Sequence, residues 1–237
     1  MVNNKSRLLV GIILIFIIFI FYYFSLDKFF VIIFLPLVIY DLYESKLLNL
    51  NQIYIFMIIL SLFLVLHFYF FNYFVIITII TCLSVILSIF LKKFLKTFFI
   101  FYIIGFILIL INLNQIDRNI IYIVIILSFL NDTMAYIFGN LIKGPLIVPK
   151  ISPKKTWSGT ILSFLITFLT LFFLNYDYIF ALFFSSSLFF GDLYFSYIKR
   201  KIQIKDFSKI LLSHGGILDR VDSISFGLII YSIHIFL

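Results

Sequence analysis

Apolar runs, each about as long as a helix needs to cross a bilayer, follow one another along this chain, broken by short clusters of Lys, Asp, Asn, Pro and Gly. The period-two alternation of half-buried strands is absent. In hydrocarbon only a helix or a closed barrel satisfies the backbone polar groups, so the runs predict helices. The breaks place crossings near residues 8–26, 29–43, 53–71, 73–91, 97–113, 119–140, 159–176, 178–198 and 223–237. The predicted fold class is therefore all-α: a polytopic integral membrane helix bundle of about nine transmembrane helices.

Composition supports a lipid solvent. Of 237 residues, 64% are hydrophobic and 12% charged, and the mean hydropathy is +1.23, which excludes an ordinary soluble domain. The 34 Phe and 15 Tyr lie largely inside the apolar runs and serve first as membrane filler. The first run follows Lys5 and Arg7 like a signal peptide, but it is long and has no Ala-x-Ala site, so it reads as a retained anchor. A single cysteine, Cys82, excludes an intrachain disulfide and a cysteine metal cluster.

Charge sets the orientation. With the N-terminus inside, only Lys28 and Arg118 of the 18 Lys and Arg fall in outer segments, as the positive-inside rule requires of an odd number of crossings. The expected location is the cell inner membrane, multi-pass, with the N-terminus and the active site cytoplasmic. The net charge of +8 then lies on one face, where lipid headgroups and nucleotide phosphates are both within reach. Nucleic acid is not expected as a partner.

Residues 1–118 read as N-terminal scaffold helices without a Gly-rich loop or a cluster of ionisable groups. Residues 119–237 read as the catalytic region, with two basic cytoplasmic loops. Seven of the nine glycines and three of the four prolines lie beyond Asn131. Turn chemistry and charge concentrated together mark a candidate site.

Three elements carry that expectation. On the sixth predicted crossing Ser128, Asp132, Ala135, Tyr136 and Gly139 share one helical stripe, and an acid inside a membrane helix is costly unless it faces a polar cavity or snorkels to the headgroups. On the eighth, Ser185, Asp192, Ser196 and Lys199 share another, with Gly191 permitting a close approach; the alternative is that Asp192 pairs with Lys199 or another cation purely to hold helices together. The last inner loop runs from Lys199 and Arg200 through Lys205 and Asp206 to Ser213-His214-Gly215-Gly216-Ile217-Leu218-Asp219-Arg220-Val221-Asp222. If Asp219 and Asp222 sit on one helix, three residues apart, their carboxylates face the same side and can share a hard cation such as Mg²⁺. Gly215 and Gly216 offer backbone N–H groups to phosphate oxygens.

The earlier loop, 143–159, holds Pro145, Pro149, Ser152-Pro153-Lys154-Lys155-Thr156-Trp157 and Gly159. Lys155 and Thr156 suit a phosphate as point charge and hydroxyl. The alternative is that these lysines merely follow the positive-inside rule and Trp157 marks the interface.

Taken together, the residues resemble the phosphatidate cytidylyltransferase family, the CDP-diacylglycerol synthases. The C-terminal signature is met by Ser196, Lys199, Arg200, Lys205, Asp206, Ser208, Leu211, His214, Gly215, Gly216, Asp219, Arg220 and Asp222. Two further blocks agree in order: Asp132-Thr133 with Ala135-Tyr136 and Gly139, and Pro149-Lys150 with Ser152-Pro153, Lys155-Thr156-Trp157 and Gly159. Three positions depart from the pattern: Met134, Phe195 and Leu212. Phe195 replaces an acid, whose part is then either absent or supplied elsewhere, with Asp132 and Asp41 the candidates.

The resemblance implies a Mg²⁺-dependent nucleotidyltransferase of phospholipid biosynthesis, converting CTP and phosphatidate to CDP-diacylglycerol and pyrophosphate. Asp192, Asp219 and Asp222 are the expected metal ligands. Lys199, Arg200, His214 and Arg220 complete the expected catalytic set. Asp132, Ser152, Lys155, Thr156, Ser196, Lys205, Gly215 and Gly216 are the expected substrate contacts. CTP and phosphatidate are the expected partners, with a second copy of the chain a candidate for a homodimer. Two alternatives remain. A CTP-dependent polyprenol kinase-like enzyme would transfer the γ-phosphate. A secondary transporter would place its acids near the midplane between repeats, unlike the one-sided polar groups here.

Overall fold

The computed structural model describes residues 13, 16–69, 73–116, 118–211 and 215–235. Residues 16–23 are helical and are followed by α1 (Asp27–Glu44), α2 (Leu50–Tyr69) and α3 (Tyr73–Phe90). A short 3₁₀ turn, Lys92–Phe94, leads into α4 (Leu95–Ile116) and α5 (Arg118–Ile142). A two-stranded ribbon, β1 (Leu146–Val148) and β2 (Ser152–Thr156), precedes α6 (Trp157–Phe173), α7 (Tyr178–Lys201) and α8 (Asp222–His234).

Among the described residues each predicted crossing overlaps a helix, so the all-helical class stands; residues 8–12, 14 and 15 of the first crossing lie outside the described residues. Among the described residues three segments are long and apolar enough to cross a membrane: Lys92–Ile116, Arg118–Ile142 and Tyr178–Lys201. Leu50–Val65, Phe74–Phe90 and Trp157–Phe173 are apolar but shorter. Hydroxyls within the apolar helices turn back onto their own backbone, as Thr78, Thr81, Ser84, Ser88, Thr167 and Thr170 do with carbonyls three or four residues earlier.

The ribbon is an addition to the all-α expectation. It pairs Leu146 with Thr156 and Val148 with Ser152, antiparallel and with an irregularity between. Pro145, Pro149 and Pro153 explain it: proline interrupts helical hydrogen bonding but is tolerated at the edge of a ribbon. The Trp157 N–H donates to the Pro145 carbonyl at 3.1 Å, closing the ribbon where α6 begins.

The residues group into two compact units, Met1–Tyr122 with Ile204–Arg220, and Ile123–Gln203 with Val221–Leu237. In the first, α3 packs along α4, which also meets α1. Its core includes Phe56, Phe99, Tyr102, Ile103 and Phe106, and Phe207 from the late loop stacks on Phe99 at 5.8 Å between centroids. In the second, α7 packs against both α6 and α8 around Phe184, Leu188, Phe195 and Leu228.

Candidate active site

The second unit builds its site through close backbone approaches. A Cβ on Gly159 would overlap the carbonyl oxygen of Ala135 and lie 3.1 Å from the Gly139 Cα, so α5 and the start of α6 touch backbone to backbone. Thr156 caps α6 by accepting a hydrogen bond from the Gly159 N–H at 3.3 Å. The Asp132-to-Gly139 and Thr156-to-Gly159 blocks of the sequence are thus two sides of one contact.

That contact frames a cavity of about 270 Å³ lined by Asn131, Asp132, Ala135, Tyr136, Ser152, Lys154, Lys155, Thr156, Thr160, Ser163, Phe189 and Asp192. Five expected site residues, Asp132, Ser152, Lys155, Thr156 and Asp192, share its wall. The Lys155 ammonium is 2.5 Å from Asp192 Oδ2 and 5.0 Å from the centre of the Phe189 ring. Ser196 donates to Asp192 Oδ1 at 3.3 Å. Asp192 therefore pairs with a cation from the 143–159 loop, Lys155.

Gly191 does for α7 and α8 what Gly159 does for α5 and α6, since a Cβ there would come within 2.5 Å of the Asp222 carbonyl oxygen. The approach puts Asp222, the first residue of α8 and one ahead of the last predicted crossing, beside the following residue, Asp192. Burial, then the charges of Asp192 and Asp132, push the Asp222 carboxyl up to about 8, while Lys199 opposes the shift. Acids that repel one another in a buried place favour a cation among them. Ser128 on α5 and Ser223 on α8 share a buried hydrogen bond of 2.6 Å.

Among the described residues no group of three or more His, Cys, Asp or Glu is close enough to hold a metal ion on side chains alone. Mg²⁺ does not require such a group, because it commonly keeps water and substrate phosphate oxygens beside one or two carboxylates. The Asp192 and Asp222 pair fits that demand. Of the two acids that could stand in for the one replaced by Phe195, Asp132 lies within electrostatic reach of Asp222.

The first unit contains the rest of the late signature. Asp219 precedes α8 and lies in a turn, so it does not share a helical face with Asp222. Its Oδ2 accepts from the Phe207 and Gly216 N–H groups, both at 2.9 Å. Gly215 has φ +79°, a left-handed conformation suited to glycine, and a Cβ there would sit 2.7 Å from the same oxygen. Asp41 on α1, fully buried, accepts from the Ser208 hydroxyl at 2.5 Å and from the Leu218 N–H at 2.7 Å.

The remaining expected residues are placed as follows. Lys199 is half-buried on α7, and the exposed Arg200 donates through Nε to the Ile151 carbonyl at 3.2 Å, tying α7 to the ribbon. Lys205 is exposed and Arg220 half-buried, both in the first unit. His214 lies outside the described residues. Sequence reasoning missed Asn131, Thr160, Ser163 and Phe189 in the cavity wall. Thr160 and Ser163 were legible only as polar positions four and seven residues after Thr156, Asn131 only as the neighbour of Asp132, and Phe189 was indistinguishable from filler.

An apolar helical chain with a cavity of opposed acids and lysines defines the class to which comparison adds a family. The sequence matches the Cytidylyltransferase family over residues 5–237, and the chain belongs to it. Relatives include the phosphatidate cytidylyltransferase of Rickettsia conorii, 37% identical over 134 residues, covering 50% of this chain and 58% of the relative. That of Rickettsia typhi is 39% identical over 138 residues, with coverage of 50% and 59%. That of Helicobacter pylori 26695 is 43% identical over 99 residues, with coverage of 38% and 37%. The chain spans less than two thirds of the length of these relatives.

Proposed function

We propose that the chain is a phosphatidate cytidylyltransferase that converts CTP and phosphatidate to CDP-diacylglycerol and pyrophosphate. The carrying observation is the family match across residues 5–237, and the names of the relatives give the acceptor. The cavity in which Lys155 meets Asp192 supports the reading, because it pairs a phosphate-binding cation with a carboxylate suited to Mg²⁺.

In the proposed reaction an oxygen of the lipid phosphate forms a bond to the α-phosphorus of CTP. The bond from that phosphorus to the bridging oxygen breaks, and pyrophosphate leaves with the electron pair. The attacking oxygen is already ionised near neutral pH, so no strong general base is required. The work of the protein is to neutralise and align anions. In the second unit Lys155, Lys199 and Arg200 supply cations for phosphate, and Thr156, Ser152 and Ser196 supply hydroxyls; in the first unit the phosphate-binding cations are Lys205 and Arg220. Asp192 and Asp222 would hold Mg²⁺, which when bound offsets the negative charge on the reacting oxygens. In the late loop the N–H groups of Gly216 and Leu218 are taken by Asp219 and Asp41, so they are not offered to the phosphates.

The same reading gives the chain nine crossings, an inner membrane location and a cytoplasmic face for these residues, from the distribution of Lys and Arg. Acyl chains then stay in the bilayer while the headgroup meets the nucleotide at the inner boundary. Purified protein given CTP, phosphatidate and Mg²⁺ should form lipid-linked CDP and release pyrophosphate. Transfer of the γ-phosphate instead would show a kinase and overturn the proposal.

A further inference from the structure

Asp41 stands in a helix with no other sign of function, yet its carboxyl reaches the late loop. It is fully buried, and its two oxygens take hydrogen bonds from opposite ends of one loop excursion, Ser208 Oγ–H on one side and Leu218 N–H on the other. The space above it is reserved as well, because a Cβ on Gly216 would overlap the carboxylate. Asp219 closes the same excursion a second time by joining the N–H groups of Phe207 and Gly216. Phe207 is anchored against Phe99 of α4.

Lys205 lies three residues before Ser208, and Arg220 two residues after Leu218. A clamp joining Ser208 to Leu218 therefore fixes the base from which both cations project, without touching either. Left open, a loop of this length samples many closures, and the entropy of choosing one must be spent when the ligand binds.

We infer that Asp41 is a positioning residue that ties Ser208 to Leu218, holds Lys205 and Arg220 in their binding form and so sets affinity for the nucleotide triphosphate. The inference rests on the proposed cytidylyltransferase reading for its ligand. It assigns Asp41 to the loop rather than to the chemistry.

Asp41→Leu keeps roughly the size and branching of the side chain but removes both acceptors, leaving the Leu218 N–H and the Ser208 hydroxyl without their partner. Ser208→Ala removes one bond from the loop side alone and guards against a folding defect at Asp41. In each full-length variant, assayed with phosphatidate vesicles, the KM for CTP should rise about tenfold while kcat stays within about threefold. Limited trypsin treatment should cleave after Lys205, Lys209 or Arg220 several times faster than in the unsubstituted protein. Unchanged KM and unchanged cleavage in both variants would overturn the inference, as would a fall in kcat with unchanged cleavage. If the unsubstituted protein shows no turnover, the cytidylyltransferase reading fails, and the trypsin comparison still decides whether Asp41 closes the loop.

Discussion

Gly159→Ala tests whether the backbone contact between α5 and α6 shapes the cavity. Two effects compete. Alanine in place of glycine in a helix gains at most about 1 kcal/mol in propensity. Against it, the new Cβ overlaps the Ala135 carbonyl oxygen and lies 3.1 Å from the Cα and N of Gly139. These are backbone atoms, so no rotamer change relieves the clash, and overpacking of this kind costs about 1–3 kcal/mol. The net expectation is a loss of about 1–2 kcal/mol, or about 3–6 °C in Tm for a chain of this size. Relief requires α5 and α6 to separate by on the order of 1 Å, given ordinary carbon contacts of about 3.5–4.0 Å. Lys155 and Thr156, just before Gly159, would move with α6 relative to Asp132. A misplacement of that size can lower turnover by about a hundredfold. The assay is thermal unfolding of the purified protein beside CTP-dependent lipid labelling. Gly227→Ala is the control, because the atoms nearest its Cβ would be side-chain carbons of Val124, Leu188 and Phe184 at 3.1–3.2 Å, which can shift. If Gly159→Ala matched the unsubstituted protein in both Tm and turnover, the claim that this contact sets the cavity would be wrong.

Further outcomes follow from the charged groups. Lys155→Met should lower kcat/KM by about tenfold or more while changing stability by less than about 1 kcal/mol, because the pair with Asp192 is partly exposed; a large drop in Tm with normal kinetics would make the pair structural. Asp222→Asn should abolish lipid labelling with Tm unchanged or raised, because it fixes a neutral group beside two acids, where the carboxyl already resists ionisation, and keeps an acceptor for the Ser223 N–H. Retained turnover would refute the metal assignment. Chelation of divalent ions should stop labelling and added Mg²⁺ should restore it; activity that survives exhaustive chelation would exclude the Mg²⁺ proposal. Arg220→Lys should cost about tenfold or more in kcat/KM if a planar two-point contact becomes a point charge, and an unchanged rate would place Arg220 outside the site.

Asp41 shows where local reading fails. In sequence it is one acid near the end of an apolar run, visible only as a stand-in for the carboxylate missing at Phe195. Its partners, Ser208 and Leu218, are more than 160 residues away. No periodicity or motif spacing encodes a pairing at that distance. The Asp219 and Asp222 pair shows the converse limit. A separation of three residues places two side chains on one face only if both are helical, and α8 begins at Asp222.

The order of apolar runs was enough to determine the helices, because a backbone that must satisfy itself in an apolar setting has few other choices. The signature blocks were legible too, since glycine, proline and paired charges are constrained by local backbone geometry and by the ligands they suit. Only the tertiary structure decided which acid meets which lysine, that Gly159 and Gly191 bring backbones into contact, and that residues 204–220 group with the N-terminal helices. Those outcomes depend on packing and hydrogen bonding between distant segments, whose energies arise only once the segments are in contact.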